Sequence, residues 1–331
     1  MPTTSSPEKT QAPAGPVQGA AGAKPRCPVT GTSNVRRVHG VSLNTVVDIW
    51  RRGQGVDVKR LFEGLDRLSL YESDCGVWFF DPMIVGDERF YSEYYTRQNV
   101  HALLNYKGEH RVDYKRAASY TPKGALLLDV GSGPGVFRGH LGHARYRGLD
   151  PYASAYADDS IIRETLEYHA ERNAGQYDVV TAFHVIEHVE APRRYAELMV
   201  KLLKPGGLLM LAAPLHPSPL TEIPNFPINI PPHHVTWWNP RAFEALAKEV
   251  GLTVVEASEL PPSPHQGFIF WMHRLLMART SGPPDERYIA HRWSWHASIL
   301  TSYWLANIVH RFKEMPSNPR PVDAFLCARK G

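Results

Sequence analysis

The stretch that most limits what this chain can become is Ala125-Leu126-Leu127-Leu128-Asp129-Val130, an apolar run of strand length halted by Gly131-Ser132-Gly133-Pro134-Gly135. A short, unbroken apolar run bounded by turn residues reads as a strand buried inside a sheet. The same pattern recurs downstream. Tyr146 to Asp150 is a second candidate strand, Tyr177 to Phe183 a third, and Leu208 to Ala213 a fourth, the last preceded by a helical pattern over Arg193 to Leu203 and a Lys204-Pro205-Gly206-Gly207 turn. Phe243, Leu246, Ala247 and Val250 share one helical face, and Leu252 to Glu256 and Ala324 to Ala328 supply two closing strands. Strands alternating with helices predict a doubly wound, mostly parallel α/β sheet. Two of its strands, ending at Val130 and Asp150, then open onto one crevice.

The flanks differ in character. Residues 1–25 hold five Pro, five Ala and three Gly, with Val17 as the only large apolar residue after Met1, which predicts a disordered tail. Residues 26–87 read as a small entry module, with helical spacing through Val46, Val47 and Trp50 and a strand at Val77 to Phe80. Residues 88–331 form the main domain, entered through a Tyr-rich, charged helical stretch from Glu88 to Ser119 and interrupted by a helical insert over about 261–322. In that insert Ile289, Trp293, Ala297, Leu300, Trp304 and Ile308 recur at helical spacing, with Ser294, Ser298 and Ser302 on another side. Such a helix is expected to cover the domain or a second subunit. Arg274, Arg292 and Arg311 beside Trp271, Trp293, Trp295 and Trp304 make 288–312 the expected place of any peripheral membrane contact.

Composition narrows the function classes. A net charge of +4, from 37 Lys and Arg against 33 Asp and Glu over 331 residues, is too weak a field to predict a nucleic-acid partner. The cysteines, Cys27, Cys75 and Cys327, lie far apart and the start is not leader-like, so a cytoplasmic setting without disulfides is expected. No uninterrupted apolar run approaches the ~18 residues of a spanning helix.

Glycines after a strand let the backbone turn sharply and bring its N–H groups close to a ligand. Asp150, 21 residues beyond Asp129 and at the end of the next strand, adds a carboxylate able to accept from both hydroxyls of a ribose. A nucleoside-containing cofactor is implied. The loop runs G-x-G-x-G with an acidic residue two positions before its first glycine, unlike the G-x-G-x-x-G of dinucleotide sites, so pyrophosphate binding is not favoured.

Over roughly residues 90–260 the chain resembles the class I S-adenosylmethionine-dependent methyltransferases. Leu126 to Gly135 is similar to their first motif, Gly148-Leu149-Asp150-Pro151 to the end of their second strand, Tyr177 to His188 to their fourth strand and its exit, and Leu203 to Leu208 to the turn before the fifth. The resemblance implies methyl transfer from S-adenosylmethionine to an oxygen, or a nitrogen, of a small-molecule or glycan acceptor; the alternative is a catalytically silent binding protein that retains the fold. It implies that Gly131, Ser132, Gly133 and Gly135 hold the methionine and ribose side of the cofactor, and that Asp129 helps orient it. Asp150, with Pro151, would hold the ribose hydroxyls, and Phe183 and His184 would line the floor near the sulfonium. The family's longer helix after the second strand gives way here to a short Pro151 to Ser160 segment, a departure on the adenine side.

The entry module resembles the zinc-ribbon-like segment preceding this domain in some bacterial members. Its two cysteine pairs have become Cys27-Pro28-Val29-Thr30 and Glu72-Ser73-Asp74-Cys75. A Thr hydroxyl is neither charged nor soft, so a degenerate, metal-free remnant is expected. His184, Glu187 and His188 share one face of a helical turn, but with no further ligand identifiable they read as local caps and pairs, and no metal is expected.

The segment Pro214 to Pro232 holds seven prolines in 19 residues, which predicts an extended, rigid loop leading to Pro231-Pro232-His233-His234 and the wall of an acceptor pocket. His233 and His234 are the candidate general bases, with His184 as a third, because an imidazole of near-neutral pKa can take the proton of an attacking hydroxyl. Trp237 and Trp238 are expected to pack.

Overall fold

The strands that read as continuously apolar lie at the centre of a seven-stranded sheet. The computed structural model describes residues 24–65, 67–98, 108, 110–153, 158–276, 288–290 and 292–331. The tail expected over residues 1–25 lies outside the described residues up to residue 23.

In chain order the entry part contributes β1 (Val35–Val41), α1 (Leu43–Gln54), β2 (Leu68–Ser73) and β3 (Trp78–Asp81). The main part begins with α2 (Glu88–Gln98), α3 (Val112–Tyr120), β4 (Leu126–Val130), β5 (Arg145–Leu149), β6 (Ile161–Ile162) and α4 (Leu166–Arg172). It continues with β7 (Tyr177–Phe183), α5 (Pro192–Leu202), β8 (Leu203–Pro214), β9 (Thr236–Trp237), α6 (Pro240–Glu249), β10 (Leu252–Leu260), α7 (Gly267–Leu275), α8 (Trp293–Phe312) and β11 (Asp323–Lys330).

The main sheet runs β10-β11-β8-β7-β4-β5-β6. Strands β4 to β8 pair in parallel, while β11 runs antiparallel to both β8 and β10. The doubly wound, mostly parallel expectation holds, and β11 returns from the insert to lie between the two strands that preceded it. Alternation along β4 sends Leu128 into a cluster with Leu198, Met199, Phe243 and Leu246, and Leu127 into one with Tyr114, Phe137, Met210 and Phe325. Each face is therefore covered, as a parallel sheet requires. Helix α6 starts where the sequence signals it should: Asn239 accepts from the Ala242 amide at 3.0 Å and Pro240 takes the first helical position.

A second sheet runs β1-β2-β3-β9. Its fourth strand, β9, comes from beyond the proline-rich loop, pairing Trp78 with Trp237 and Phe79 with Thr236. Trp50 of α1 is fully buried and donates its indole N–H to the Pro231 carbonyl at 2.8 Å. The entry module thus completes its sheet with a segment of the main domain. At its tip the Cys27 and Cys75 sulfurs stand 3.6 Å apart, while Glu72 is drawn to Arg36 and the Thr30 hydroxyl to that of Thr32.

The proline-rich loop folds inward, and most of its residues are buried. Some of its polar side chains bond within it: Asn229 donates to the Leu220 carbonyl at 2.8 Å, and His216 Nδ1 lies 3.0 Å from the Thr221 hydroxyl, while Asn225 reaches out to the Ala290 carbonyl at 2.8 Å. Helix α8 turns Trp295, Ser298, Ser302 and Ala306 inward and leaves Leu300, Trp304, Ile308 and Phe312 exposed. Its small residues face the protein because they let α7 approach closely, so the larger apolar stripe points outward. Among the described residues no helix is long and apolar enough to cross a membrane.

Candidate active site

The glycines after β4 turn the chain at the carboxyl edge of the sheet. Gly131, Gly133 and Gly135 have φ of 71°, 52° and 75°, a region that L side chains rarely occupy. A Cβ on Gly131 would also lie 2.5 Å from Val185 Cγ2, so the exit of β7 presses directly on this loop. Asp150 ties the loop to the next strand, its Oδ2 accepting from the Gly133 amide at 2.9 Å and its Oδ1 from the Tyr152 amide at 2.9 Å. Ser132 stands over Gly148, where a Cβ would come within 2.5 Å of its Oγ. Pro151 is exposed at the edge, and residues 154–157 on the adenine side lie outside the described residues. Gly131, Ser132, Gly133, Gly135 and Asp150 are thus brought together.

Two residues from the same reading face inward. Asp129 is buried, accepting from the Thr181 hydroxyl at 2.8 Å and the Tyr146 hydroxyl at 3.0 Å. Burial pushes its carboxyl up to about 7 against those two hydrogen bonds. Phe183 is buried with its ring 5.0 Å from Tyr114 and 4.9 Å from Phe137. Asp129 thus ties β4 to its neighbours β5 and β7, and Phe183 packs with Tyr114 of α3 and with Phe137 just after the glycine loop.

His184 ends β7 in a left-handed conformation, φ 58°. Its Nε2 lies 3.6 Å from Asp113 and 3.9 Å from Asp323, and its Nδ1 lies 3.5 Å from Glu187. Burial alone would depress its pKa, but Asp113 and Glu187 outweigh burial and raise it to about 10. Arg111 pairs with Asp113 on the far side, holding that carboxyl well below the usual range although burial opposes it. His184 is therefore an imidazolium at neutral pH, which does not suit it to serve as a base. Arg111, Asp113 and Asp323 were not legible from the sequence: they arrive from α3 and β11, with no spacing that links them to His184.

His233 and His234 end the proline-rich loop and meet His188. The three imidazoles each place a ring nitrogen within 4.8 Å of the others. Backbone bonds join the segments, from the Val235 amide to the Glu187 carbonyl at 2.9 Å. His233 lies among aromatic rings, 5.2 Å from Tyr94 and 6.2 Å from Trp50. Burial pushes both His233 and His234 well below the ordinary imidazole range, with the neighbouring histidines adding to the effect. Both are neutral at pH 7.

Residues 104–257 match a family model described as a methyltransferase domain. Among curated relatives, the ubiquinone biosynthesis O-methyltransferase of Erwinia tasmaniensis is 39% identical over 97 residues, covering 25% of this chain and 40% of that protein. The protein of the same name from Psychrobacter arcticus is 33% identical over 115 residues, covering 30% and 45%. The chain thus spans less than half the length of these relatives. A solved S-adenosylmethionine-dependent methyltransferase from Archaeoglobus fulgidus aligns over 74% of this chain and 100% of its own, with 18% identity and a TM-score of 0.43.

Proposed function

We propose that this chain, a class I S-adenosylmethionine-dependent methyltransferase by its matched domain at residues 104–257, methylates an oxygen of a small-molecule acceptor. The observation that carries the cofactor half is the Asp150 carboxylate bonded to the Gly133 amide where two parallel strands end. A carboxylate held beside a side-chain-free glycine turn at the carboxyl edge of the sheet suits the hydroxyls of a ribose. The choice of oxygen is supported by the relatives named O-methyltransferases.

Methyl transfer is an in-line displacement at the sulfonium carbon, so fixing donor and acceptor in line supplies much of the rate. His184, held as a cation, repels the sulfonium unless its charge is spent on Asp113, Glu187 and Asp323, which surround it. The acceptor proton falls to the neutral His233 and His234, directly or through what they bind. The test is calorimetry with S-adenosylmethionine, followed by release of S-adenosylhomocysteine with a panel of phenols, alcohols and glycans. Asp150→Ala removes a charged hydrogen-bond acceptor worth ~1.5–3 kcal/mol, so affinity should fall by roughly 10- to 150-fold. Unchanged affinity in that variant refutes the site; tight binding with no turnover on any acceptor class favours the silent binding protein.

A further inference from the structure

Three imidazoles and a carboxylate converge where the exit of β7 meets the end of the proline-rich loop. His188 Nδ1 lies 2.7 Å from the His233 carbonyl, and His233 Nδ1 lies 3.3 Å from the Ile228 carbonyl. A ring N–H donated to a carbonyl through Nδ1 leaves the Nε2 lone pair bare, which is how protein scaffolds present a histidine to a metal. Glu187 is almost fully buried, and neither of its carboxylate oxygens accepts a hydrogen bond. Its Oε1 lies 3.5 Å from His184 Nδ1, 3.7 Å from His188 Nε2 and 4.0 Å from His234 Nε2. The Tyr91 hydroxyl is also buried without a hydrogen-bond partner, its ring 6.2 Å from that of His188.

We infer that His188, His233 and His234, with Glu187, form a binding site for a divalent transition-metal ion such as Zn2+ or Co2+. Ligands about 2.0–2.2 Å from a tetrahedral ion stand roughly 3.4 Å apart, so the cluster closes around an ion with side-chain shifts of about 1 Å. Three imidazoles favour zinc, cobalt or nickel over magnesium, which prefers oxygen ligands. His188 is the least buried of the three and gives the ion its way in. The sequence did not show the site because 45 residues separate His188 from His233. The inference stands independently of methyl transfer. If that reading holds as well, an ion held by these four side chains engages His233 and His234 and leaves neither free as a base.

The experiment is a titration of the full chain, stripped with a chelator and dialysed, with Co2+ alone, read by visible absorption and calorimetry. One saturating equivalent is expected, with ligand-field bands and no thiolate charge-transfer band. His188→Gln and His234→Gln should each weaken binding by roughly tenfold or more, whereas the double variant Cys27→Ser/Cys75→Ser should leave it unchanged. If a histidine variant does not fold, paramagnetic broadening of histidine ring signals in the unaltered chain identifies the ligands instead. A missing equivalent, a thiolate band, broadening confined to other histidines, or folded variants that bind as tightly as the original would overturn the inference.

Discussion

Asp129 sits between two roles. Its folded pKa of about 7 lies above the ordinary 3.8, so between about pH 4 and 7 the folded chain keeps a proton that the unfolded chain has lost. Stability should therefore fall as pH rises through that window, with the cost complete above about pH 7. Asp129→Asn removes the titrating group while still facing Thr181 and Tyr146, and it should flatten this slope in urea unfolding measured from pH 4 to 8. Parallel slopes for the two proteins would show that Asp129 is not the group responsible. A sharper effect is expected at Gly131, where alanine meets Val185 at 2.5 Å and must hold φ 71°. Gly131→Ala should weaken S-adenosylmethionine binding at least as much as Asp150→Ala, and calorimetry on both variants makes the comparison. The glycine loop and Asp150 were legible because local spacing determines them: a strand, a turn, and a carboxylate at the end of the next strand. The charge cluster at His184 was not, since Asp113 and Asp323 reach it from opposite ends of the main domain.

The elements repeat the contrast between local and distant determinants. Strands β4, β5 and β7 and helices α5 and α6 lie where apolar periodicity and turn residues predict them, because each is long enough for its own pattern to declare it. Strand β8 instead starts at Leu203 and absorbs the expected Lys204-Pro205-Gly206-Gly207 turn as a register shift against β7. The two-residue strands β6 and β9 carry no pattern; only their partners define them. Helix α8 is the instructive case. Periodicity revealed two faces but not which one packs, and the buried face turned out to be Ser298, Ser302 and Ala306. Ala306 lies against Ile223 and Met272, so Ala306→Leu should overpack this contact and cost about 1–3 kcal/mol in denaturant unfolding. Trp304 is 63% exposed, and Trp304→Ala should change stability by no more than about 0.5 kcal/mol. Equal effects from the two substitutions would contradict this orientation of the helix.

At the scale of the whole molecule, the proline-rich loop joins three parts of the chain. It receives the Trp50 indole from the entry module through Pro231, and it leads into β9, which completes the second sheet. At its other end Glu222 accepts from both terminal nitrogens of Arg320, at 2.8 and 2.9 Å, and lies 3.0 Å from His273 Nε2. The loop is thus fastened to α7 and to the approach to β11. Sequence rules gave the sheet's architecture, but this fastening joins Glu222 and Arg320 across 98 residues, a separation no local signal spans. Burial alone would raise the Glu222 carboxyl, yet His273 and Arg320 outweigh it and hold the pKa down to about 2. A depressed folded pKa gives stability that is present above the unfolded value of 4.5 and lost as pH falls toward 2. Glu222→Gln should therefore be less stable than the original chain at pH 7, by only about 1 kcal/mol because Arg320 is half-exposed and solvent screens the pair. The difference should narrow steadily from pH 4.5 to 3 and shrink at pH 7 in ~1 M salt, where charges at the surface are screened. Urea unfolding of both chains under these conditions measures it. A difference independent of both pH and salt would mean that Glu222 holds the loop through packing, with its charge contributing nothing.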